Sequence, residues 1–193
     1  MNIIPGERDY AENQRLIREA EGCVAAIQRV RYLRLLRELR EGVNPEINTD
    51  KQALVTGMEQ LGFRKDIAEA FQEVDRKLIS AASTFDFRGC MDLSRAAFEK
   101  IVEEAARRSA PIKGKPLPPD GAGPFHPWKQ LLQNCGVVDE KEAELLQKFY
   151  NYVSSSGSHD LGSAPDEARV TKNITIELGL LVVNRVKALT SAP

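Results

Sequence analysis

Apolar residues recur every three or four positions through most of the chain, which is the spacing of one face of an α-helix. Residues 7–41 contain no proline. The apolar positions in this stretch are Leu16, Ala20, Cys23, Ile27 and Val30. Gly42, Asn44 and Pro45 then end the pattern. The sequence therefore predicts a long amphipathic helix in an N-terminal extension of residues 1–45.

Four arginines recur at every third position near the end of this predicted helix, at Arg31, Arg34, Arg37 and Arg40. Such a stripe can bind phosphates, or it can be a solvated face whose side-chain stems cover the neighbouring leucines. The formal net charge of the whole chain is −1, which gives no support to a surface built for nucleic acid. We therefore favour the solvated face.

The same spacing continues in residues 46–193 and predicts a bundle of amphipathic helices. Two of them end near Gly62 and Ser83, and a third begins near Asp92 and has two arginines in its last turn. A short helix follows, ended by Gly136. The next carries acidic residues in its first turn and buries one face. The residues expected on these buried faces include Leu54, Met58, Ile67, Phe71, Val74, Phe98, Ile101, Leu131, Leu145, Leu146, Phe149 and Val153.

The last predicted helix starts with Ser163 as its capping hydroxyl, Pro165 in its first turn and Asp166 three positions after the cap. From residue 174 to residue 189 it is apolar on nearly all sides. Such a helix is either central in the bundle or half-buried in a dimer interface. Because one bundle covers only part of such a surface, we expect a homodimer that uses this helix.

Residues 110–127 contain most of the prolines of the chain, and we predict a surface loop there. His126 stands at its end beside Phe125 and Trp128. An aromatic and histidine cluster of this kind can mark a ligand site, but more often it holds a loop against a bundle. No segment alternates apolar and polar residues long enough to be a strand, so the predicted fold class is all-α.

The composition narrows the function classes further. The three cysteines, Cys23, Cys90 and Cys135, are too far apart for a zinc site and odd in number, so we interpret them as small buried hydrophobic residues. The sequence shows no histidine pair at metal spacing and no glycine-rich phosphate loop, and we expect neither a metal nor a cofactor. No stretch is apolar enough to span a membrane, and no secretion signal begins the chain. We expect a cytoplasmic protein.

Two stretches resemble the HEPN superfamily, particularly the C-terminal domains attached to abortive-infection proteins. The first is FRGCMDLSRAAFEKI, which begins at Phe87 and places Arg95 and Glu99 in the positions of that group's helix motif. The second is SSSGSHDLGSAPDEARVTKNITIELGLLVVNRV, which is similar to its histidine loop and final helix. The resemblance covers about residues 50–190. It implies a helical bundle that commonly dimerises and, in many members, is a metal-independent ribonuclease of prokaryotic defence or toxin systems.

The resemblance implies that His159 would transfer protons during RNA cleavage, with Asn151 as its neighbour. The family's nucleases carry an arginine five to seven positions before the histidine, whereas this chain has Ser154, Val153 and Tyr152 there. Arg169 or Lys172 would then have to bind the phosphate, together with the N-terminus of the last helix.

The alternative role for this cluster is structural, with His159 and Asn151 closing the turn by hydrogen bonds. Arg95 and Glu99 lie one helical turn apart and are predicted to pair, with Asp86 or Glu177 completing a structural polar network. We therefore expect a non-enzymatic helical interaction and dimerisation module with a possible protein partner. The alternative is a metal-independent HEPN endoribonuclease or RNA-binding effector that uses His159.

Overall fold

The computed structural model of the protein describes residues 45–155 and 164–191, and these residues form helices joined by turns and loops, with no strand among them. The helices are α1 (Pro45–Gln60), α2 (Lys65–Ser80), α3 (Thr84–Ile112), α4 (His126–Asn134), α5 (Glu140–Ser155) and α6 (Ala164–Thr190). The all-α prediction is confirmed for this part of the chain. The predicted N-terminal helix and its arginine stripe lie outside the described residues, as do Ser163 and His159.

The two longest helices, α3 and α6, lie side by side and run in the same direction. Ala168 clusters with Cys90 and Met91 near the beginning of both helices. Further along, a Cβ atom on Gly179 would lie 3.0 Å from Cδ1 of Ile101. Ile101 and Val102 of α3 and Ile176 and Val182 of α6 are fully buried. The apolar last helix is therefore central in the bundle, which is one of the two places predicted for it.

Helix α1 lies on another side of α6 and also runs parallel to it. A glycine makes the close approach possible, because a Cβ atom on Gly57 would lie 2.6 Å from Cγ1 of Val183. Gly62, with a φ of 68°, ends α1, and the chain turns back into α2. Most of the apolar surface of α6 is thus covered by α1, α2 and α3 within a single chain.

Helices α2 and α5 run antiparallel to α6. Arg185, late in α6, pairs with Glu142 at the start of α5 at 2.6 Å. The second small apolar cluster joins Val74 of α2 to Cys90 and Met91 of α3 and Ala168 of α6. We call the end of the bundle marked by this cluster the proximal end. There α2 and α5 end, and α3 and α6 begin.

The aromatic side chains form a cluster between α3 and α5, which we call the aromatic cluster. The ring of Phe98 stacks on Phe125 at 5.5 Å and meets Phe149 edge-on at 5.0 Å. Phe125 stacks on Tyr150 at 4.1 Å. Nearby, the guanidinium of Arg107 lies 4.4 Å above the ring of Trp128. These contacts hold the proline-rich loop against the bundle, as the sequence predicted.

Three boundary predictions were wrong. Helix α3 begins at Thr84 rather than near Asp92, because Ser83 and Asp86 form a capping box ahead of it. It also continues to Ile112, with Pro111 in its last turn, so the predicted loop at 110–127 starts later. The two arginines expected in the last turn therefore lie further inside α3. At the other end of the loop, His126 and Pro127 already belong to the first turn of α4.

One predicted core residue was also wrong. Leu145, expected on the buried face of α5, is 49% exposed, whereas Leu146, Phe149 and Val153 are buried as predicted. The buried face of α5 instead includes Ala143, three positions before Leu146. Cys90 and Cys135 are buried free thiols, as predicted, and burial raises the pKa of each thiol.

Candidate functional site

The described candidate residues lie towards the proximal end, because α5 ends there and α6 begins there. Asn151 is near the end of α5, and Arg169 and Lys172 lie within the first three turns of α6. Arg95 is on α3, at the level where α3 runs beside this part of α6. The topology therefore gathers residues that are up to about 80 positions apart in sequence.

Asn151 takes part in a chain of exposed side-chain hydrogen bonds. Its Oδ1 accepts a hydrogen bond of 2.9 Å from Nε2 of Gln147. The Oε1 of the same Gln147 lies 3.2 Å from Nδ1 of His126. Asn151 is thus connected through Gln147 to His126, a contact between α4 and α5 that the sequence did not indicate.

Lys172, a predicted phosphate-binding residue, forms an ion pair inside the bundle. Its Nζ lies 2.5 Å from Oδ1 of Asp75, and Nζ of Lys51 lies 2.6 Å from Oδ2 of the same carboxylate. The Lys172 side chain is only 13% exposed. Burial by itself raises the pKa of Asp75, but the hydrogen bonds from Lys172 and Lys51 outweigh it, and the pKa is lowered. We call these three residues the ion triad; it joins α1, α2 and α6.

Arg169, the second predicted phosphate-binding residue, also contacts a carboxylate. Its Nη1 lies 3.3 Å from Oδ1 of Asp166, one turn earlier on α6, and its side chain is 19% exposed. The carboxylate of Glu167 stands near Tyr152 at the end of α5, where burial, followed by this negative charge, raises the pKa of the phenol. Acidic side chains therefore accompany the predicted cations at the start of α6.

Arg95 pairs differently from the prediction. Its Nη2 lies 3.5 Å from Oδ1 of Asp92, and no ion pair joins it to Glu99 in the described part of the chain. The other proposed network members are engaged elsewhere. Asp86 caps α3, and Glu177 faces Asp50, where burial and then that neighbouring carboxylate raise the pKa of Glu177. The predicted Arg95 and Glu99 pair is wrong: carboxylates three and four positions away both share the helix face of Arg95, and the structure pairs Arg95 with Asp92.

Two buried polar atoms at the proximal end have no hydrogen-bond partner in the structure, Nε of Arg95 and Oγ1 of Thr171. Thr171 is fully buried on the side of α6 that faces the core. From the shared register of α3 and α6, these residues stand within about one helical turn of each other along the two helices. Both atoms can donate a hydrogen bond, and neither donates one in the structure.

An open groove between α1 and α6 is separate from this cluster. Polar side chains of Gln52, Thr56, Asn184 and Lys187 line it, above Ala53 and Leu180. None of the predicted site residues lines the groove. The described candidate cations Arg95, Arg169 and Lys172 are each paired with a carboxylate, and they lie apart from this groove.

The described residues contain neither a metal-binding cluster nor a membrane-spanning helix. No group of three or more histidine, cysteine, aspartate or glutamate side chains there is arranged to hold a metal ion. None of the described helices has an apolar stretch long enough to cross a membrane. Comparisons with family models, with curated proteins and with solved structures found no match.

Proposed function

We propose that this chain is a non-catalytic, HEPN-like helical interaction module that forms homodimers, acting in the cytoplasm in a prokaryotic defence or toxin-type system. The observation that carries the proposal is the pairing of the candidate cations. Lys172, Arg169 and Arg95 each have a carboxylate partner within 3.5 Å. Each of these cations therefore already has a partner within the protein, although Lys172 shares Asp75 with Lys51.

The chemistry of RNA cleavage gives this pairing its importance. Without a metal, the reaction needs a general base and a cation placed against the charge that develops on the phosphate. To serve as that cation, Lys172 would have to exchange Asp75 for a phosphate oxygen. Asp75 would then keep only Lys51 as its partner, and removing one member of a partly buried ion-pair network is unfavourable.

A second function, a metal-independent endoribonuclease or RNA-binding effector that uses His159, is favoured by a different observation. Nε of Arg95 and Oγ1 of Thr171 are both hydrogen-bond donors, and both lack acceptors in the structure. Arg95, whose side chain is 36% exposed, could donate to an oxygen atom of a phosphate, whereas the hydroxyl of Thr171 is fully buried. This arrangement supplies hydrogen-bond donors, but Arg95 still shares its charge with Asp92.

The test compares the wild-type protein with His159→Ala and, as a matched control, with His126→Ala. Under the proposal, none of the three cleaves a mixed RNA pool in the absence of metal. His159→Ala would then lower only the melting temperature, by an amount equivalent to about 1 kcal/mol of lost hydrogen bonding.

The ribonuclease alternative predicts the opposite result. Wild type and His126→Ala would cleave the pool, and His159→Ala would not. The wild-type activity would also fall on acidification through the histidine pKa, because the general base must be a neutral imidazole. That outcome would refute the non-catalytic function.

A further inference from the structure

The loop between α3 and α4 carries a compact run of prolines. Residues 115–119 have the sequence Lys-Pro-Leu-Pro-Pro, so Pro116 and Pro119 stand three positions apart. We call residues 116–119 the PxxP segment. This spacing is typical of segments that other proteins bind as a polyproline II helix. The segment has no regular secondary structure, and it is exposed except for the half-buried Pro118.

Proline chemistry favours the polyproline II conformation in this segment. The ring of each proline fixes its φ near about −65°. A residue that precedes a proline is kept out of the helical region, and this applies to Lys115, Leu117 and Pro118. A polyproline II helix has about three residues per turn, so Pro116 and Pro119 lie on the same edge of it. The segment therefore forms an apolar ridge before any partner binds.

Hydrogen bonds and packing hold both ends of the segment. At its start, the amide of Lys115 donates to the carbonyl of Ala110, in the last turn of α3, at 2.9 Å. At its end, the amide of Ala122 donates to the carbonyl of Pro119 at 3.1 Å. Beyond this turn, Phe125 is buried in the aromatic cluster. Because the ends are fixed, a partner that binds the segment loses little free energy to ordering it.

The backbone between these two ends keeps its hydrogen-bonding groups free. In the described part of the chain, the amide of Leu117 donates no hydrogen bond, and the carbonyls of residues 115–118 accept none. The side chain of Leu117 is 48% exposed. An apolar ridge with free carbonyls suits a groove of aromatic side chains, because the rings pack on the prolines and a tryptophan or tyrosine donates to a carbonyl.

Two lysines stand immediately before the segment. Lys113 and Lys115 are exposed, and neither forms an ion pair with a described residue. Burial raises the pKa of the Cys135 thiol, and the charges of Lys115 and Lys113 act in the opposite direction, so both ammonium groups lie near the end of α4. With Asp120 included, residues 113–120 carry a formal net charge of +1. This charge favours a partner that has carboxylates beside its groove.

We propose that the PxxP segment is the docking site for a partner protein with a polyproline II-binding groove, lined by aromatic side chains and flanked by carboxylates. Pro116 and Pro119 pack between the rings of the groove, and Lys115 pairs with its carboxylates. The proposal rests on the interaction role proposed above and names the class of partner. Because the segment is much smaller than a standard interface, we expect a dissociation constant on the order of 100 µM.

The experiment titrates the full chain into isotope-labelled SH3 and WW domains, two classes of domain that bind such segments through aromatic-lined grooves. The chain is added to about 1 mM, roughly tenfold above the expected dissociation constant. Chemical shifts in NMR spectra show which residues of each domain are contacted. We expect shifts confined to the groove of at least one domain. The absence of groove shifts in all of them would overturn the proposal.

Variants of the segment locate the contact on this chain. Pro116→Ala and Pro119→Ala each remove one ring of the ridge and should weaken binding at least about tenfold. Pro124→Ala is the matched control, because it changes an exposed proline of the same loop outside the segment, and it should leave binding unchanged. Circular dichroism melts confirm that each variant is folded. Binding that survives both Pro116→Ala and Pro119→Ala would show that these prolines only stiffen the loop, which would refute the docking site.

A charge variant tests the carboxylates of the partner. Lys115→Glu places a like charge against them, so it should weaken binding, and more strongly at low salt concentration. Lys77→Glu, which changes an exposed lysine at the proximal end, is the control and should have no effect. Equal effects of the two substitutions would contradict the proposed partner.

RNA cleavage and dimerisation are measured on the same samples, so that the two proposals fail separately. A chain that forms dimers and cleaves no RNA, but binds none of the domains, refutes only the docking site. Cleavage that His159→Ala abolishes refutes the proposed function, whereas groove shifts that Pro116→Ala removes still support the docking site.

Discussion

The aromatic cluster and the proximal end are two regions of one bundle that are held together in different ways. In the aromatic cluster, Phe98 contacts Phe125 and Phe149, and all three side chains are buried. At the proximal end the apolar cluster is small, an ion triad joins three helices, and two buried polar atoms lack partners. The first region gains stability from apolar burial, and the second depends on paired charges.

This difference locates the part of the molecule that is free to serve a function. In the aromatic cluster, the rings of Phe98, Phe125 and Phe149 are buried and contact one another, so they are not accessible to a partner. The proximal end combines exposed apolar residues, ion pairs and unused donors. Interaction sites commonly occupy regions where polar groups are not all satisfied within the fold.

The largest expected effect is on the aromatic side of the comparison. Phe98→Ala would remove a fully buried ring that contacts two others, and it should lower the free energy of unfolding by about 3–5 kcal/mol. Phe85→Ala is the matched control, because that ring is largely exposed, and it should change stability by less than about 0.5 kcal/mol. Urea unfolding followed by circular dichroism measures both. Similar losses for the two variants would contradict the division of the bundle into these regions.

A smaller effect is expected for the ion triad. Asp75→Asn would leave the ammonium groups of Lys51 and Lys172 without their carboxylate, and it should cost about 2 kcal/mol of unfolding free energy. Asp66→Asn on the same helix is the control, because Asp66 forms an exposed ion pair with Arg64, the residue before the helix, and this substitution should cost less than about 1 kcal/mol. Equal costs would show that the triad is no stronger than a surface ion pair.

The ion triad also predicts that the free energy of unfolding depends on pH. In the folded protein the pKa of Asp75 lies below its ordinary value of 3.8, so its stabilisation is fully present above that value. The stabilisation is lost as the pH falls through the lowered pKa of the folded state. The wild type should therefore lose more stability than Asp75→Asn on acidification from about pH 5 to about pH 2. Parallel curves for the two proteins would contradict this assignment.

The smallest expected change in stability is a gain rather than a loss. Thr171→Val replaces a buried hydroxyl that has no partner with a methyl group, and it should leave stability unchanged or raise it by up to about 1 kcal/mol. Thr175→Val is the matched control on the same helix, because its hydroxyl donates to the carbonyl of Thr171 at 2.8 Å. That variant should lose about 1 kcal/mol. A clear loss in Thr171→Val would show that its hydroxyl is hydrogen-bonded in solution.

Much of the fold could be predicted from the sequence, because burial repeats with the helical period. The buried positions Phe71, Phe98 and Phe149 follow directly from that spacing. Helix ends were harder, since they depend on single capping residues. The start of α3 is set by Ser83 and Asp86, and an interpretation based on apolar spacing alone placed it several residues too late.

The candidate site was less predictable, because its contacts join distant helices. Sequence spacing suggested an ion pair between Arg95 and Glu99, but in the structure Arg95 forms its ion pair with Asp92. Nothing in the local pattern connects Lys172 with Asp75, which lies on another helix. Such a contact depends on which helices become neighbours, and neither hydrophobic period nor net charge specifies that. The role of His159 stays a prediction, since it lies outside the described residues.

The parallel arrangement of α3 and α6 has a consequence for how the chain acquires its structure. Parallel neighbours cannot be joined by a short turn, and the contacts of α6 with α3 link residues roughly 80 positions apart. Its contacts with α1 span a still longer stretch. The α1–α2 hairpin can form early from local contacts. The apolar faces of α1 and α3 that pack against α6 stay exposed to solvent until α6 has been synthesised. Folding should therefore be slow for a helical protein, and the half-made chain should be the species most prone to aggregate.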